Sequence, residues 1–412
     1  MLPRLLAGPP LAAGPESLKD HRRRLGPLAP VADGRAVIDV LASSGLLGRG
    51  GAGFPVARKW AAVADRSAGD AVVLANGAEG EPLSAKDRTL MATRPHLVLD
   101  GAELAAEAVG ADRIVLYVGS EHVAAGTALH SAVAERAADR RAAHRIPVTL
   151  LAAPPTYVAG EESAAVHFVN AGDARPTGTT PRPFERGVDA RPTLVQNVET
   201  LAHAALIARN GDSWYREIGG RSTRGSALVT VGGAAGRGVT EIAIGTTVAE
   251  LADLAAVRGV PGAVLLGGYF GRWLSADEAI DLPLDPVALR EAGSAFGCGV
   301  VSFLDRSACG IDATARIIDY MAGQSAAQCG PCVFGLRAIA DATARIAGGT
   351  AASDDLERLT RWSGQLAGRG ACRHPDGAAG LMQSALRVFA DDFVAHARRR
   401  RCPVAQGRGR AA

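Results

Sequence analysis

Aromatic residues are scarce in this chain of 412 residues, at 4% of positions, and long apolar runs are missing. No stretch approaches the roughly 18 apolar residues that a membrane-spanning helix needs, so insertion into a bilayer is not expected. Neither sign of charge dominates, because 45 Lys and Arg against 42 Asp and Glu leave +3. So small a balance gives no case for nucleic acid as a partner. Only 6 cysteines occur, at uneven spacing, far too few for a disulfide framework in a chain this long. They suit reduced thiols in a cytoplasmic setting, some of them serving as metal ligands. The opening MLPRLLAGPPLAAG is broken by prolines and makes a poor signal peptide. Basic residues concentrate at His21–Arg24 and Arg398–Arg401 and read as a solvated arm and tail, docking on an acidic partner being the other reading.

Glycine, by contrast, is plentiful at 50 residues, and the length allows two or three domains with real cores. The runs Ala71–Ala75, Arg113–Val118 and Pro147–Ala152 read as buried parallel strands. Between them, His96–Gly110 and Glu121–Arg140 carry helical spacing, so a layered α/β domain is expected with ligands at the carboxyl ends of its strands. The segment Ala174–Asp189, rich in Pro, Thr and Gly, reads as a long loop. From Ser226 to Ser275, short strands around a helix at Val248–Val257 predict a small α+β module. Beyond about Leu289, one strand-like run at Gly299–Leu304 precedes helices expected at Asp312–Ala322, Cys332–Ala347, Asp354–Ala367 and Gly377–Arg400.

Within this frame, GRGGAGFPVARKW (Gly48–Trp60) puts four glycines before a helix. Glycines let main-chain N–H groups approach a ligand closely, and a helix N-terminus behind them favours a phosphate. Gly48, Gly50 and Gly53 satisfy GxGxxG, but the residues before them look helical, whereas the dinucleotide fingerprint needs a strand there. Asn76-Gly-Ala-Glu79-Gly-Glu81-Pro82 follows the first strand, where its carboxylates suit a sugar or flavin edge or, more plainly, a solvated turn. Tyr157-Val-Ala-Gly160-Glu161-Glu162 follows the third strand, and paired glutamates at a helix start also complement the helix dipole. Cys329-Gly-Pro-Cys332, with Cys372 forty residues on, is open between zinc, a redox disulfide and a cluster. Cys298 and Cys402 read as buried or tail thiols, and His96 and His203 as surface or core residues.

Taken together, these segments resemble the NADH-binding, 51-kDa-type subunit of respiratory complex I, a family that includes formate dehydrogenase and hydrogenase diaphorase subunits. The resemblance runs from about Leu5 to Val394, with the segments in family order. It implies an N-terminal arm (1–30), a Rossmann-like FMN/NADH domain (31–224) and a ubiquitin-like α+β module of the SLBB type (225–288). A C-terminal helical bundle with an iron–sulfur site (289–400) and a basic tail (401–412) complete the expected order. The resemblance places Gly48, Arg49, Gly50, Gly51, Phe54, Lys59, Asn76, Glu79, Glu81, Tyr157, Gly160, Glu161, Glu162, Gln196, Asn197 and Thr200 around FMN and NADH, with Glu79 and Glu162 as catalytic carboxylates. Glu81 and Glu162 would accept ribose hydroxyls and repel a 2′-phosphate, favouring NADH over NADPH.

The implied activity is oxidation of NADH by FMN, with electrons leaving singly through an iron–sulfur cluster to a ferredoxin-like protein acceptor. A cytoplasmic protein, peripheral to a membrane complex where it joins one, is the expected setting. Four departures stand out. Ala62 replaces the family's second Phe, Ala78 its Asp, and Pro181 a Lys for which Arg182 can substitute. The context QSAAQCGPCVFGL resembles ESCGxCxPCREG, so Cys329, Cys332 and Cys372 correspond to three ligands of a [4Fe–4S] cluster while Ala326 stands for the fourth. Completion by His374 or Cys309, a fourth iron without a protein thiolate, a three-iron cluster, zinc, and loss of the site are all open. So are two other readings of the whole chain: an electron-transfer module that no longer oxidises NADH, and a degenerate structural subunit.

Overall fold

A computed structural model describes residues 2–139, 146–178, 180–233, 238–259 and 261–404. The chain divides into two compact units, Met1–Val229 with Val239–Thr246 and Thr230–Gly238 with Thr247–Ala412. The first contains α1 (Leu18–Leu25), α2 (Gly34–Ser44), α3 (Val56–Ala64), β1 (Ala71–Gly77), α4 (Lys86–Thr93), α5 (Pro95–Val109) and β2 (Ala111–Gly119). It continues through α6 (Val123–Ala138), β3 (Val148–Ala153), α7 (Glu162–Ala171), β4 (Thr193–Asn197) and α8 (Val198–Arg216).

The four strands form one sheet in the order β3-β2-β1-β4, with every neighbouring pair parallel. Ala71 to Ala75 are wholly buried, as a strand covered on both faces requires. Alternation along β1 sends Val73 and Ala75 into a core with Leu97, Leu201 and Trp60, and Val72 and Leu74 into one with Tyr117 and Val166. Helices α5 and α8 pack so closely that a Cβ on Gly101 would stand 2.1 Å from the Leu201 carbonyl oxygen. The sequence reading located β1, β2 and β3 but contained no strand at β4. This fourth strand matters because β1 has β2 on one side and β4 on the other. That reversal of strand order opens a crevice at the carboxyl ends of β1 and β4, where ligands of open α/β sheets bind.

The expected solvated arm is instead part of the core. Leu5 is fully buried, and the Glu241 carboxylate accepts the backbone N–H groups of Arg4 and Leu5 at 2.8 Å and of Leu6 at 3.2 Å. The same side chain accepts the Ser226 hydroxyl at 2.7 Å. His21 is buried against Asp100 at 2.9 Å, Arg24 pairs with Glu16 at 2.7 Å, and Arg22 pairs with Asp139. Asp100 also takes Arg136 at 2.6 Å and Arg209, so one carboxylate joins α1, α5, α6 and α8. Burial works against its charge, but His21, Arg136 and Arg209 outweigh it and hold the carboxyl well below the usual range.

In the second part of the chain come β5 (Ser226–Gly233), β6 (Gly238–Ala243), α9 (Val248–Leu254), β7 (Pro261–Leu266), β8 (Arg272–Ser275), α10 (Ala276–Ala279), α11 (Pro286–Glu291) and β9 (Val300–Asp305). Their sheet runs β6-β5-β9-β7-β8, with β9 parallel to β5 and antiparallel to β7. A mixed sheet thus stands where the α+β module is expected. The expected boundary after residue 288 would leave out its central strand, which the chain supplies only at residues 300–305. Helices α12 (Gly310–Gly323), α13 (Arg337–Ala347), α14 (Asp355–Leu366), α15 (His374–Val388) and α16 (Ala390–Arg399) follow. In α13 the stripe Ile339, Thr343 and Ile346 is buried at helical spacing. The long helix expected over residues 377–400 is two helices, with Phe389 between them.

Candidate functional site

The glycine loop spans the gap between α2 and α3. It closes where Leu47 bridges Pro55 and the Gly48 N–H donates to the Phe54 carbonyl at 2.9 Å. No strand precedes it, so the match to GxGxxG has a different structural setting from a dinucleotide fingerprint. Gly51 and Gly53 have φ of 108° and 62°, in the region that favours glycine, and a Cβ on Gly53 would meet nothing within 4 Å. The loop therefore offers main chain rather than side chains to its open side. Its other side is pinned to the end of β4. The Arg49 N–H donates to Thr200 Oγ1 at 2.8 Å, and a Cβ on Gly50 would lie 3.3 Å from that of Asn197. Phe54 is 52% exposed at the end of the loop, a free aromatic face.

Three segments meet this loop from the strand ends. β1 and β4 lie in register, Asn76 beside Asn197. The Asn76 side-chain amide donates to the Gly160 carbonyl at 2.8 Å, tying the loop after β1 to the loop after β3. The same two loops touch at Gly80, where a Cβ would come 2.8 Å from the Tyr157 carbonyl oxygen. Tyr157 OH donates to Glu81 Oε2 at 2.9 Å, and Gln196 accepts from Trp60 Nε1 at 3.4 Å. Lys59 and Glu162 pair at 2.7 Å and both remain about a quarter exposed, with Arg182 at 3.8 Å from the same carboxylate.

Several expected contact residues point elsewhere. Glu79, at φ 45°, turns its carboxylate onto the start of α4, accepting the Ser84 hydroxyl at 2.6 Å and the N–H groups of Asp87 and Arg88 at 2.9 and 3.0 Å. With that side chain 2% exposed, Glu79 caps the start of α4. Glu161 likewise caps α7 through the N–H groups of Ser163 and Ala164 and the Ser163 hydroxyl. Asn197 caps α8 and donates to Asp87 at 2.8 Å. Thr200 is buried beneath the loop, and the Arg49 guanidinium runs inward to Tyr215 OH at 3.2 Å and the Ser226 carbonyl at 3.0 Å. Three motif residues thus cap the helices that leave the sheet, which is how local sequence fixes the crevice. Nor do Glu81 and Glu162 form an uncompensated acidic wall, because Lys59 and Arg182 offset Glu162. The expected repulsion of a 2′-phosphate loses that support.

Sequence reasoning missed the buried charges below. Lys86 bridges Asp87 at 2.6 Å and Glu199 at 2.8 Å. Burial alone would favour neutral Lys86, but the two carboxylates reverse this and raise its pKa, while burial pushes Asp87 up. Glu199 also accepts the Leu228 N–H at 2.9 Å. The sequence contains Lys86 and Asp87 soon after the Glu79 turn, and Glu199 within the Asn197 segment. Only their meeting under the glycine loop gives them a role. Ala78 packs into the apolar cluster around Tyr117 and presents no polar group.

In the helical region, Cys332 lies in a π-helical turn, Pro331–Leu336, a distortion frequent at functional sites. Burial, with Cys329 and Cys372 beside it, pushes the Cys332 thiol up to about 12, so the three expected ligands are neighbours. Of the two proposed substitutes for the fourth thiolate, Cys309 lies in another cluster. His374 Nε2 lies 2.8 Å from the Met321 carbonyl oxygen, and Cys309 is grouped with His396 and Cys402. That grouping also corrects the reading of Cys402 as a mere tail thiol. Cys298 lies 3.4 Å from the Gly267 carbonyl oxygen.

Comparison with known proteins agrees with this geometry. Residues 41–205 match the family described as the Nuo51 FMN-binding domain, and residues 312–396 the NADH-ubiquinone oxidoreductase-F iron-sulfur binding region. The second F-type subunit of NADH-quinone oxidoreductase in Rhizobium meliloti is 32% identical over 394 residues, covering 93% of this chain and 92% of the relative. The F-type subunit of the same enzyme in Escherichia coli is 30% identical, with 87% and 84% covered. A chain of NAD+-reducing [NiFe]-hydrogenase in the air-oxidised state superposes at a TM-score of 0.84 and 29% identity, over 95% of this chain and 67% of the other. In the H2-reduced state the TM-score is 0.79 at 30% identity, and this chain spans 63% of the hydrogenase chain's length. By that extent of identity, and by a glycine cradle and a cysteine trio that fit the two matched regions, the chain belongs to the NuoF-type family of FMN- and iron–sulfur-binding oxidoreductases, the flavoprotein component of NADH dehydrogenases.

Proposed function

We propose that this chain oxidises NADH and delivers electrons to a separate iron–sulfur protein of ferredoxin type. The observation that carries the reading is the attachment of an open glycine loop to the carboxyl end of β4 at Asn197 and to the first turn of α8 at Thr200. Main-chain groups of residues 48–53 would hold FMN, with Asn76 and Gln196 at the strand ends beside them. FMN supplies acceptance of a hydride as an electron pair, and an iron–sulfur group supplies transfer of single electrons.

The chain's own residues bind and orient the dinucleotide. Phe54 offers a ring for stacking, a contact of about 1 kcal/mol. Glu162 accepts ribose hydroxyls while Lys59 and Arg182 keep its charge balanced. Cys329, Cys332 and Cys372 would hold the cluster by three thiolates, leaving one iron without a protein sulfur at Ala326. Support for a protein acceptor comes from Phe334 and Val333, exposed by 74% and 40% next to Cys332. Among the described residues, no helix is long and apolar enough to cross a membrane.

A second reading, an adaptor that no longer oxidises NADH, draws on Ala62 in place of a ring and on the apolar packing of Ala78. Anaerobic titration of the purified protein with NADH separates the two. Prompt bleaching of the flavin supports oxidation. Bleaching by dithionite or a reduced partner alone would leave only the adaptor.

A further inference from the structure

We propose that Cys309, His396 and Cys402 form a zinc site, separate from the cysteine trio of the iron–sulfur region, that clamps the chain beyond α16 to the start of α12. The three donor atoms all lie within 4.8 Å of one another. Cys309 Sγ and His396 Nε2 are 3.5 Å apart, and the Cys402 sulfur lies within 4.8 Å of both. Around a tetrahedral zinc, bonds of 2.0–2.3 Å put sulfur and nitrogen donors roughly 3.5–3.8 Å apart, so the spacing already seen needs little closure. Two thiolates and an imidazole are a donor set that suits zinc, with the fourth position left to water.

Local structure supports the same reading. Cys309 occupies the N-cap of α12, a position that Ser, Thr, Asp and Asn favour. Its sulfur accepts the Asp312 N–H at 3.5 Å, which orients it at the start of a 14-residue helix. His396 is buried on α16, and Asp392, one turn earlier on the same helix face, interacts with it electrostatically. Arg400 takes a left-handed conformation, φ 52° and ψ 37°, immediately after α16. This conformation is costly for a residue other than glycine. The reversal at Arg400 brings Cys402 back to the other two donors, which gives the strained residue a purpose. The ligands are separated by 87 and 6 residues, so no local spacing announces the site.

The test uses the full chain, purified under reductant and passed over a mild chelator, with zinc, iron and sulfide measured separately. We expect about one zinc per chain, lost at least tenfold in both Cys402→Ser and His396→Ala while iron and FMN are retained. Cobalt added to zinc-stripped wild type should give the intense sulfur-to-metal absorption of a tetrahedral thiolate site, a readout independent of any variant. The proposal is overturned by zinc far below stoichiometry, or by zinc that disappears in Cys329→Ser but survives in Cys402→Ser. A Cys309–Cys402 disulfide recovered by peptide mapping from reductant-treated protein would overturn it equally.

Discussion

Glu162 Oε2 stands 2.7 Å from Lys59 Nζ, joining the first residue of α7 to α3, the helix behind the glycine loop. Arg182 approaches the other carboxylate oxygen at 3.8 Å, so one anion sits between two cations. Because all three are partly exposed, solvent screens them and the pairing is worth little as stability. Its importance lies in recognition.

Replacing that anion should therefore change cofactor choice. In Glu162→Gln the two cations are left to meet a 2′-phosphate, while a ribose-hydroxyl acceptor is weakened. The ratio of kcat/KM for NADPH over NADH should rise about tenfold, equivalent to about 1.4 kcal/mol. Steady-state assays with both nucleotides check it, and an unchanged ratio would remove Glu162 from the dinucleotide site.

The anchor of the glycine loop is open to a similar test. Thr200→Val keeps the shape but leaves the buried Arg49 N–H without its acceptor, at a cost of about 1–3 kcal/mol. Tm should fall by several degrees and purified protein should carry less flavin. Thr200→Ser, which keeps the hydroxyl, should behave like the parent. If Val is tolerated with full flavin content, the loop is held by something else.

Acid should expose the buried carboxylates of the N-terminal region. Burial would raise Glu16, but hydrogen bonds from Arg24 and His21 outweigh it and hold it at about 2, against an ordinary value of 4.5. A depressed carboxyl stabilises the fold above its unfolded pKa and loses that contribution as pH falls through the folded one. The loss should therefore run from pH 4.5 down to about 2, with Asp100 adding to it in the same direction. The contribution of Glu16 is of order 3 kcal/mol. Urea melts across this range should show a shallower acid limb for Glu16→Gln. A limb of unchanged slope would show that the pairs contribute nothing.

The missing thiolate predicts a gain rather than a loss. Ala326→Cys restores the fourth position of the cysteine run, so iron retained after brief exposure to air should increase. Iron and sulfide analysis with EPR before and after oxidation reads this directly. No change in either would mean that residue 326 does not face the cluster.

Much of this architecture can be read from residue order alone, and the limits have physical causes. β1, β2 and β3 are short, β-branched apolar runs that no amphipathic helix would carry, so their pattern is local. β4 has only five residues and ends in Gln196 and Asn197, which look like site residues rather than sheet. β9 is separated from its partner β5 by nearly 70 residues, and no local pattern states that pairing. Among the site residues, type was legible and direction was not. Glu79 and Glu161 belong to the right loops, but which way each carboxylate turns depends on where the following helix starts. Lys86, Asp87 and Glu199 meet only after folding brings α4 and α8 together. The N-terminal residues look like an arm because their acceptor, Glu241, lies 236 positions from Leu5.

That last separation affects how the protein is made. A nascent chain emerging at about 5–20 residues per second waits on the order of ten to fifty seconds between Leu5 and Glu241. Throughout that interval the amides of residues 4–6 lack their native acceptor, even after the last strand of the parallel sheet has been translated. The flavin domain is consequently closed only once residue 241 exists, and a chain cut short of it lacks the acceptor that seats its own first residues.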